Sequence, residues 1–223
     1  MKRILRENGL SIVWLGLFFL TIMFGQSVTG WHEYNSDQQE HGEQAVTYFA
    51  YLGTPHFAEA TMENWESEFL QICLYISLTS FLYQKGSAES KKLGEKEEVD
   101  RDPARFRTKK DAPWPVRKGG LWLALYQYSL SIAFALLFLG CFALHAAAGS
   151  RLYNQDQLTH HVPETVTTLG YLATSRFWFE SFQNWQSEFF SVGLMVVFSI
   201  FLRHKGSPES KPVDAPHSQT GKD

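Results

Sequence analysis

"NWESEF", Asn64 to Phe69, and "NWQSEF", Asn184 to Phe189, are near-identical hexapeptides 120 residues apart, each followed by an apolar run. A carboxylate, Glu68 and then Glu188, stands at the mouth of both runs. The likeness extends outward. Glu63 to Lys91 aligns without gaps on Gln183 to Lys211, with about half of the positions identical. "YLGTPHF" at Tyr51 matches "YLATSRF" at Tyr171, and "GLSI" at Gly9 matches "SLSI" at Ser129, both at the same offset. "YNSDQ" at Tyr34 matches "YNQDQ" at Tyr153 with one residue fewer. Self-similarity at a fixed period marks a repeated structural unit. The unit reads as helix, outer loop, helix and a basic "KGSxESK" tail, present twice.

Four apolar runs fit that unit: Leu10 to Val28, Phe69 to Tyr83, Leu121 to Ala148 and Phe189 to Leu202. A helix needs about 20 residues to cross about 30 Å of hydrocarbon. The first and third runs meet that. The second and fourth are short, so spans of ordinary length would begin at Asn64 and Gln183 and would carry Glu68 and Glu188 about one turn deep. A thinner bilayer around short helices is the competing reading, since mismatch costs only fractions of a kcal/mol per Å. The first run, behind "MKRILREN", also has the shape of a signal peptide. Its internal counterpart in the third run argues that it is retained.

The expected fold is therefore an all-α membrane protein: four transmembrane helices from a tandem duplicated helical hairpin, with short extracytoplasmic helices. The first repeat covers 1–91 (spans at about 10–28 and 64–83) and the second 117–211 (spans at about 121–148 and 183–202). Between them lies a charged linker, 92–116, and after them a disordered tail, 212–223. Lys and Arg concentrate before the first run, in the linker and after the fourth run, whereas the outer loops hold only Arg151 and Arg176. The positive-inside rule then puts both termini and the linker in the cytoplasm of a multi-pass inner-membrane protein. In the outer loops, Ser36 with Gln39 forms a capping box that would open a short helix. Thr54 with Pro55 would open the second span's helix, and Ser175 would serve the second copy.

Composition narrows the partners. A net charge of -3 gives no reason to expect nucleic acid, and 15% aromatic residues suit a chain anchored in a bilayer interface. The mean hydropathy of -0.21 looks soluble only because apolar and polar residues are averaged across separate blocks. The two cysteines, Cys73 and Cys141, lie in different apolar runs without a pairing motif.

The chemistry on offer is a polar stripe. Asn64, Ser67, Glu68 and Gln71 share one helical face at i, i+3, i+4 and i+7, and Asn184, Ser187, Glu188 and Ser191 repeat it. Lipid cannot satisfy such a stripe, so both should turn toward the bundle interior. Facing each other, Glu68 and Glu188 would share a proton or hold a cation. The structural alternative makes each acid a complement to a helix dipole and each stripe a polar glue. Glu63 and Glu66 become Gln183 and Gln186 in the second copy while Glu68 stays an acid, which directs attention to Glu68. His32, His41, His56, His160 and His161 fall in the outer loops and His145 near the end of the third run, without metal-ligand spacing. No catalytic motif is recognisable, so no catalytic, cofactor or metal residues are assigned and no enzyme is expected.

"LRENGLSIVWLGLFFL", "GWHEYN", "YLGTPHF" and "NWESEF" resemble an uncharacterised family of bacterial integral membrane proteins, known only as a domain of unknown function. The resemblance covers nearly the whole chain and implies a bacterial inner membrane, but no activity. The leading expectation is a non-enzymatic structural or interaction protein. The alternative is a small proton- or cation-linked transporter or channel using Glu68 and Glu188. Expected partners are the lipid bilayer and either a second copy or an unidentified membrane or periplasmic protein.

Overall fold

The computed structural model describes residues 2–160 and 165–222, so His161 lies outside the described residues. The chain is helical, with no strand among the described residues. Helix α1 (Lys2–Leu20) passes through a π-turn (Thr21–Gln26) into α2 (Ser27–Glu40). A one-turn helix, α3 (Tyr48–Tyr51), precedes the long α4 (Pro55–Thr79). The linker carries two short 3₁₀ turns, then α5 (Trp114–Lys118) and α6 (Gly120–Tyr126). The second half holds α7 (Ser129–Thr159), the one-turn α8 (Thr168–Tyr171) and α9 (Ser175–Phe201). Among the described residues, two helices are long and apolar enough to cross a membrane: the continuous one over Arg3–Glu40, and α7.

Several boundaries differ from the sequence expectation. Ser36 opens no helix, because it lies inside α2. The apolar run ends near Val28, but the helix goes on because its polar flank still has partners. Trp31 Nε1 donates to the Val46 carbonyl at 2.8 Å, and Asn35 both accepts from and donates to Val46 at 2.7 and 3.0 Å. Asn8 breaks the helical geometry of α1 with φ -126 and ψ 16. The third apolar run is divided between α6 and α7 at Gln127 and Tyr128. Thr54 caps α4 as expected, its Oγ1 accepting from Phe57 N at 3.3 Å. The matching cap of α9 is Thr174, which accepts from Phe177 N at 3.3 Å, while Ser175 is the first helical residue.

Chain contacts divide the protein into two compact units. One is Met1–Met62 with Ala143–Phe177, the other Glu63–Phe142 with Trp178–Asp223. The first unit is built twice over from the same contacts. Thr47 caps α3 and Thr167 caps α8. Asn154 clasps Val166 as Asn35 clasps Val46. Tyr51 and Tyr171 are both buried, and each packs edge-on to the phenylalanine of the next helix, Phe57 or Phe177. Each tyrosine lies against a glycine of its neighbouring helix, Gly30 or Gly149, where a Cβ would collide with the ring or hydroxyl. Only glycine permits so close an approach.

The one-residue difference between the copies has a structural form. Counting from the GLSI motif, the first copy reaches its YN pair one residue later. The extra residue is absorbed in the π-turn at Thr21–Gln26, while α7 runs without such a turn over the matched stretch. A π-turn is the conformation a helix adopts when it takes in an extra residue without changing the faces on either side.

In the second unit the two KGSxESK segments also fold alike. Ser90 Oγ accepts from Gln84 N and Ser210 Oγ from His204 N, both at 2.9 Å. Gly86 and Gly206 hold φ of 87 and 85 at the turn. The stretch read from sequence as a disordered tail makes specific bonds. The ammonium of Lys211, 1% exposed, donates to the carbonyls of Gly86 (2.5 Å), Gln219 (2.8 Å), His217 (3.2 Å) and Pro216 (3.4 Å). A buried charge is tolerable only when its donors are satisfied in this way. Thr220 Oγ1 accepts from Gly86 N at 2.9 Å, which ties residues 216–220 to the first KGS turn.

Candidate functional site

The polar residues of the two NWxSEF segments meet within the second unit, though not in the pattern the stripe suggested. Gln71 on α4 donates to Ser191 Oγ and to the Glu188 carbonyl on α9, both at 3.2 Å. Asn184 Nδ2 donates to Glu63 Oε1 at 2.6 Å and to the Glu180 carbonyl at 3.1 Å. Ser67 is buried and turns back to the Asn64 carbonyl at 2.7 Å, as Ser187 does to Asn184 at 2.8 Å. Ser191 likewise bonds the Glu188 carbonyl at 2.9 Å. Glu68 is exposed and Glu188 half-buried.

Two acids outside the stripe do more of the joining. Glu66 is fully buried and accepts the indole N–H of Trp185 at 3.2 Å. Glu63 takes the Asn184 amide. Sequence reasoning passed over both because their second-copy counterparts are amides. The available signal was spacing: Glu59, Glu63 and Glu66 recur at i, i+4 and i+7, an acidic stripe on one face of α4. Around these pairs, Trp185 packs on Phe138 and Phe182, and Phe69 on Phe134. Lower on α4, Cys73 donates to the Ser131 carbonyl at 3.4 Å and Ser77 to Ser131 Oγ at 3.3 Å.

The first unit holds a second polar site that the scattered histidines did not announce. A cavity of about 200 Å³ is lined by Tyr34, Asp37, His41, His56, Asp156, His160 and Arg176 among others. Arg176 donates to Asp156 Oδ2 at 3.0 Å and lies over the Tyr153 ring. In the first copy His56 stands in the place of Arg176, with Asp37 in the place of Asp156. Burial pushes the His56 imidazole below its ordinary range, against the opposing pull of Asp37 and Glu33. Tyr51 OH lies 3.3 Å from His56 Nδ1, and burial raises the phenol of Tyr51. The rings of His41 and His160 meet edge to face at 6.5 Å. Elsewhere in this unit Glu59 and His145, both buried, bring ligand atoms within 4.8 Å of each other, and Phe177 lies on the His145 ring.

No curated protein and no solved structure matches the chain. One family model does match, over residues 1–222, and carries the description "Domain of unknown function (DUF6766)". With the match running over nearly every residue that builds these clusters, the chain belongs to the DUF6766 family.

Proposed function

We propose that this chain is a multi-pass protein of a bacterial inner membrane, made by duplicating a helical hairpin, with a non-enzymatic structural or interaction role. Four spans would be formed by the α1–α2 helix, α4, α7 and α9, with both termini and the linker in the cytoplasm. A soluble core helix would be mostly buried, yet only 6% and 17% of the most apolar windows of the first helix and α7 are buried. Exposed Trp14, Phe19, Leu136 and Leu139 on these helices suit a lipid-facing surface. The matched contacts of Thr47 and Thr167, Asn35 and Asn154, and Gly30 and Gly149 support the duplication.

The observation that carries the structural role is the pairing of polar groups with each other: Glu63 with Asn184, Glu66 with Trp185, Gln71 with Ser191. Such pairs hold membrane helices together at roughly 0.6–2 kcal/mol each. Single-cysteine variants in Cys73→Ser/Cys141→Ser, labelled from either side of the membrane, test the topology. Residues 95 and 215 should react only from the cytoplasm and residue 43 only from outside. The opposite pattern at any of the three would sink the four-span arrangement.

One observation favours the transporter as a second reading: the helices that carry Glu68 and Glu188 are joined beside these acids, where Gln71 donates to Ser191 and to the Glu188 carbonyl. Proton and cation flux into liposomes, compared with folded Glu68→Gln/Glu188→Gln, separates the two. Flux lost in the double variant favours transport, and no wild-type flux across ion and pH gradients favours the structural role.

A further inference from the structure

We propose that the cavity between the ends of α2 and α7, in the first unit, binds a zinc ion through His41, His160 and Asp156, with Asp37 orienting His41. An Asp-x-x-x-His pair occurs once in each copy, Asp37 with His41 and Asp156 with His160, in the register set by Tyr34 and Tyr153. Each histidine stands just after the last residue of its helix, α2 or α7. Each still donates its backbone N–H to the carbonyl of its own aspartate at 3.1 Å. The closing turn is therefore helical in both copies, and residues four apart lie on one face. That spacing is how a single helix offers two side chains to one metal site. All four side chains line the cavity of about 200 Å³.

The distances suit such an ion. His160 Nε2 and Asp156 Oδ1 are 3.7 Å apart. Two ligands on one tetrahedral zinc, at bond lengths of about 2.0–2.1 Å, lie roughly 3.3 Å apart. Asp156 Oδ2 accepts from Arg176 at 3.0 Å, which fixes the carboxylate with Oδ1 toward His160. His41 Nδ1 lies 2.9 Å from the Asp37 carbonyl and 3.5 Å from Asp37 Oδ1. A carbonyl only accepts, so Nδ1 carries the proton and Nε2 the lone pair that a metal takes. The two rings stand with centroids 6.5 Å apart. Rings that share one zinc have centroids up to about 6.4 Å apart. The His41 and His160 side chains are 42% and 64% exposed, so a small rotation closes the remainder without moving the backbone. Two nitrogens, one carboxylate oxygen and a water make the four-coordinate set that zinc takes. Asp37 adds a second negative charge beside the ion, against the single positive charge of Arg176. The cavity lies within one unit, so the site stands independently of the proposed function.

The test uses the full chain in phosphatidylcholine nanodiscs, stripped of metal by a chelator and titrated with Zn²⁺ by calorimetry. One ion per chain should bind, and Co²⁺ in its place should show the strong visible absorption of a tetrahedral rather than an octahedral ion. His41→Ala and His160→Ala should each weaken binding at least about tenfold, and the double variant should lose the site. Asp37→Asn should weaken it about tenfold through the orientation of His41. His32→Ala, at a residue that does not line the cavity, should leave the affinity unchanged. Zinc should raise the thermal midpoint of the wild type and not that of the double variant. Both histidines are exposed, so the metal-free variants should unfold near the wild-type midpoint. Absence of stoichiometric binding, undiminished binding in the double variant, or an octahedral cobalt spectrum would each overturn the assignment.

Discussion

The indole N–H of Trp185 donates to Oε1 of Glu66 at 3.2 Å, and this carboxylate has no exposed surface. The bond joins α9 to α4 at a depth where water cannot substitute for it. Trp185→Phe keeps most of the ring packing on Phe138 and Phe182 but removes the donor. It should destabilise the protein by about 1–3 kcal/mol. Glu66→Gln, which still offers an oxygen, should cost less. Denaturation in micelles would measure both, and an unchanged midpoint in Trp185→Phe would show that the bond contributes nothing.

Glu68 and Asn184 should rank in the reverse of the order that the repeated acid suggests. Glu68 is exposed, so Glu68→Gln should stay within about 0.5 kcal/mol of wild type. Asn184→Leu removes the amide that donates to Glu63 Oε1 and should cost about 1–3 kcal/mol. The same unfolding assay compares them, and a larger loss at Glu68 would reverse this account of the cluster.

His56 gives the first unit a pH dependence of predictable sign. Its folded pKa lies below the ordinary 6.5, so the unfolded chain takes up the proton first as pH falls. Stability should be level above about 6.5 and decline below it. Tyr34, Tyr51, Asp37 and Glu33 surround or act on the ring, and the two carboxylates limit the shift without reversing it. His56→Arg reproduces the second copy, where Arg176 binds Asp156. It should flatten the profile between pH 5 and 7, read by thermal unfolding. A wild-type midpoint that rises on acidification would contradict the assigned sign.

The π-turn should be removable. Deleting Met23, an exposed residue within it, should leave a regular helix and keep the clasp of Asn35 on Val46 and the Gly30–Tyr51 contact in register. Helicity by circular dichroism and the unfolding midpoint should stay close to wild type. Deleting one residue from the matched stretch of α7, which has no π-turn to absorb the change, should be clearly destabilising. Equal damage from both deletions would mean that the extra residue is not what the turn accommodates.

Much of the local fold was legible because it rests on short-range chemistry. Thr54 with Pro55 marked the start of α4, whereas the one-residue difference in the spacing to Tyr34 and Tyr153 did not say where between Gly9 and Tyr34 the extra residue would fall. Ser36 misled because a capping box is a local signal, and the contacts of Trp31 and Asn35 with Val46 overrode it. The candidate site was half legible. Gln71 and Ser191 do meet, as a stripe facing its twin requires. Glu66 was hidden because face analysis began from the residues the copies share, whereas the buried bond joins residues that are not each other's counterparts. Lys211 was hidden for another reason: its partners are backbone carbonyls, which no side-chain pattern encodes.

The carbonyl cage around Lys211 also sets an order of events during synthesis. The groups that close the turn at Gly86 stand 125 and 134 positions downstream, in Lys211 and Thr220. At roughly 5–20 residues per second, the ribosome delivers them about 6–27 s after the turn itself emerges. Until then the carbonyls of Gly86 and Ser87 have only water to bond, and the closed turn reports that α9 and the segment after it have been synthesised.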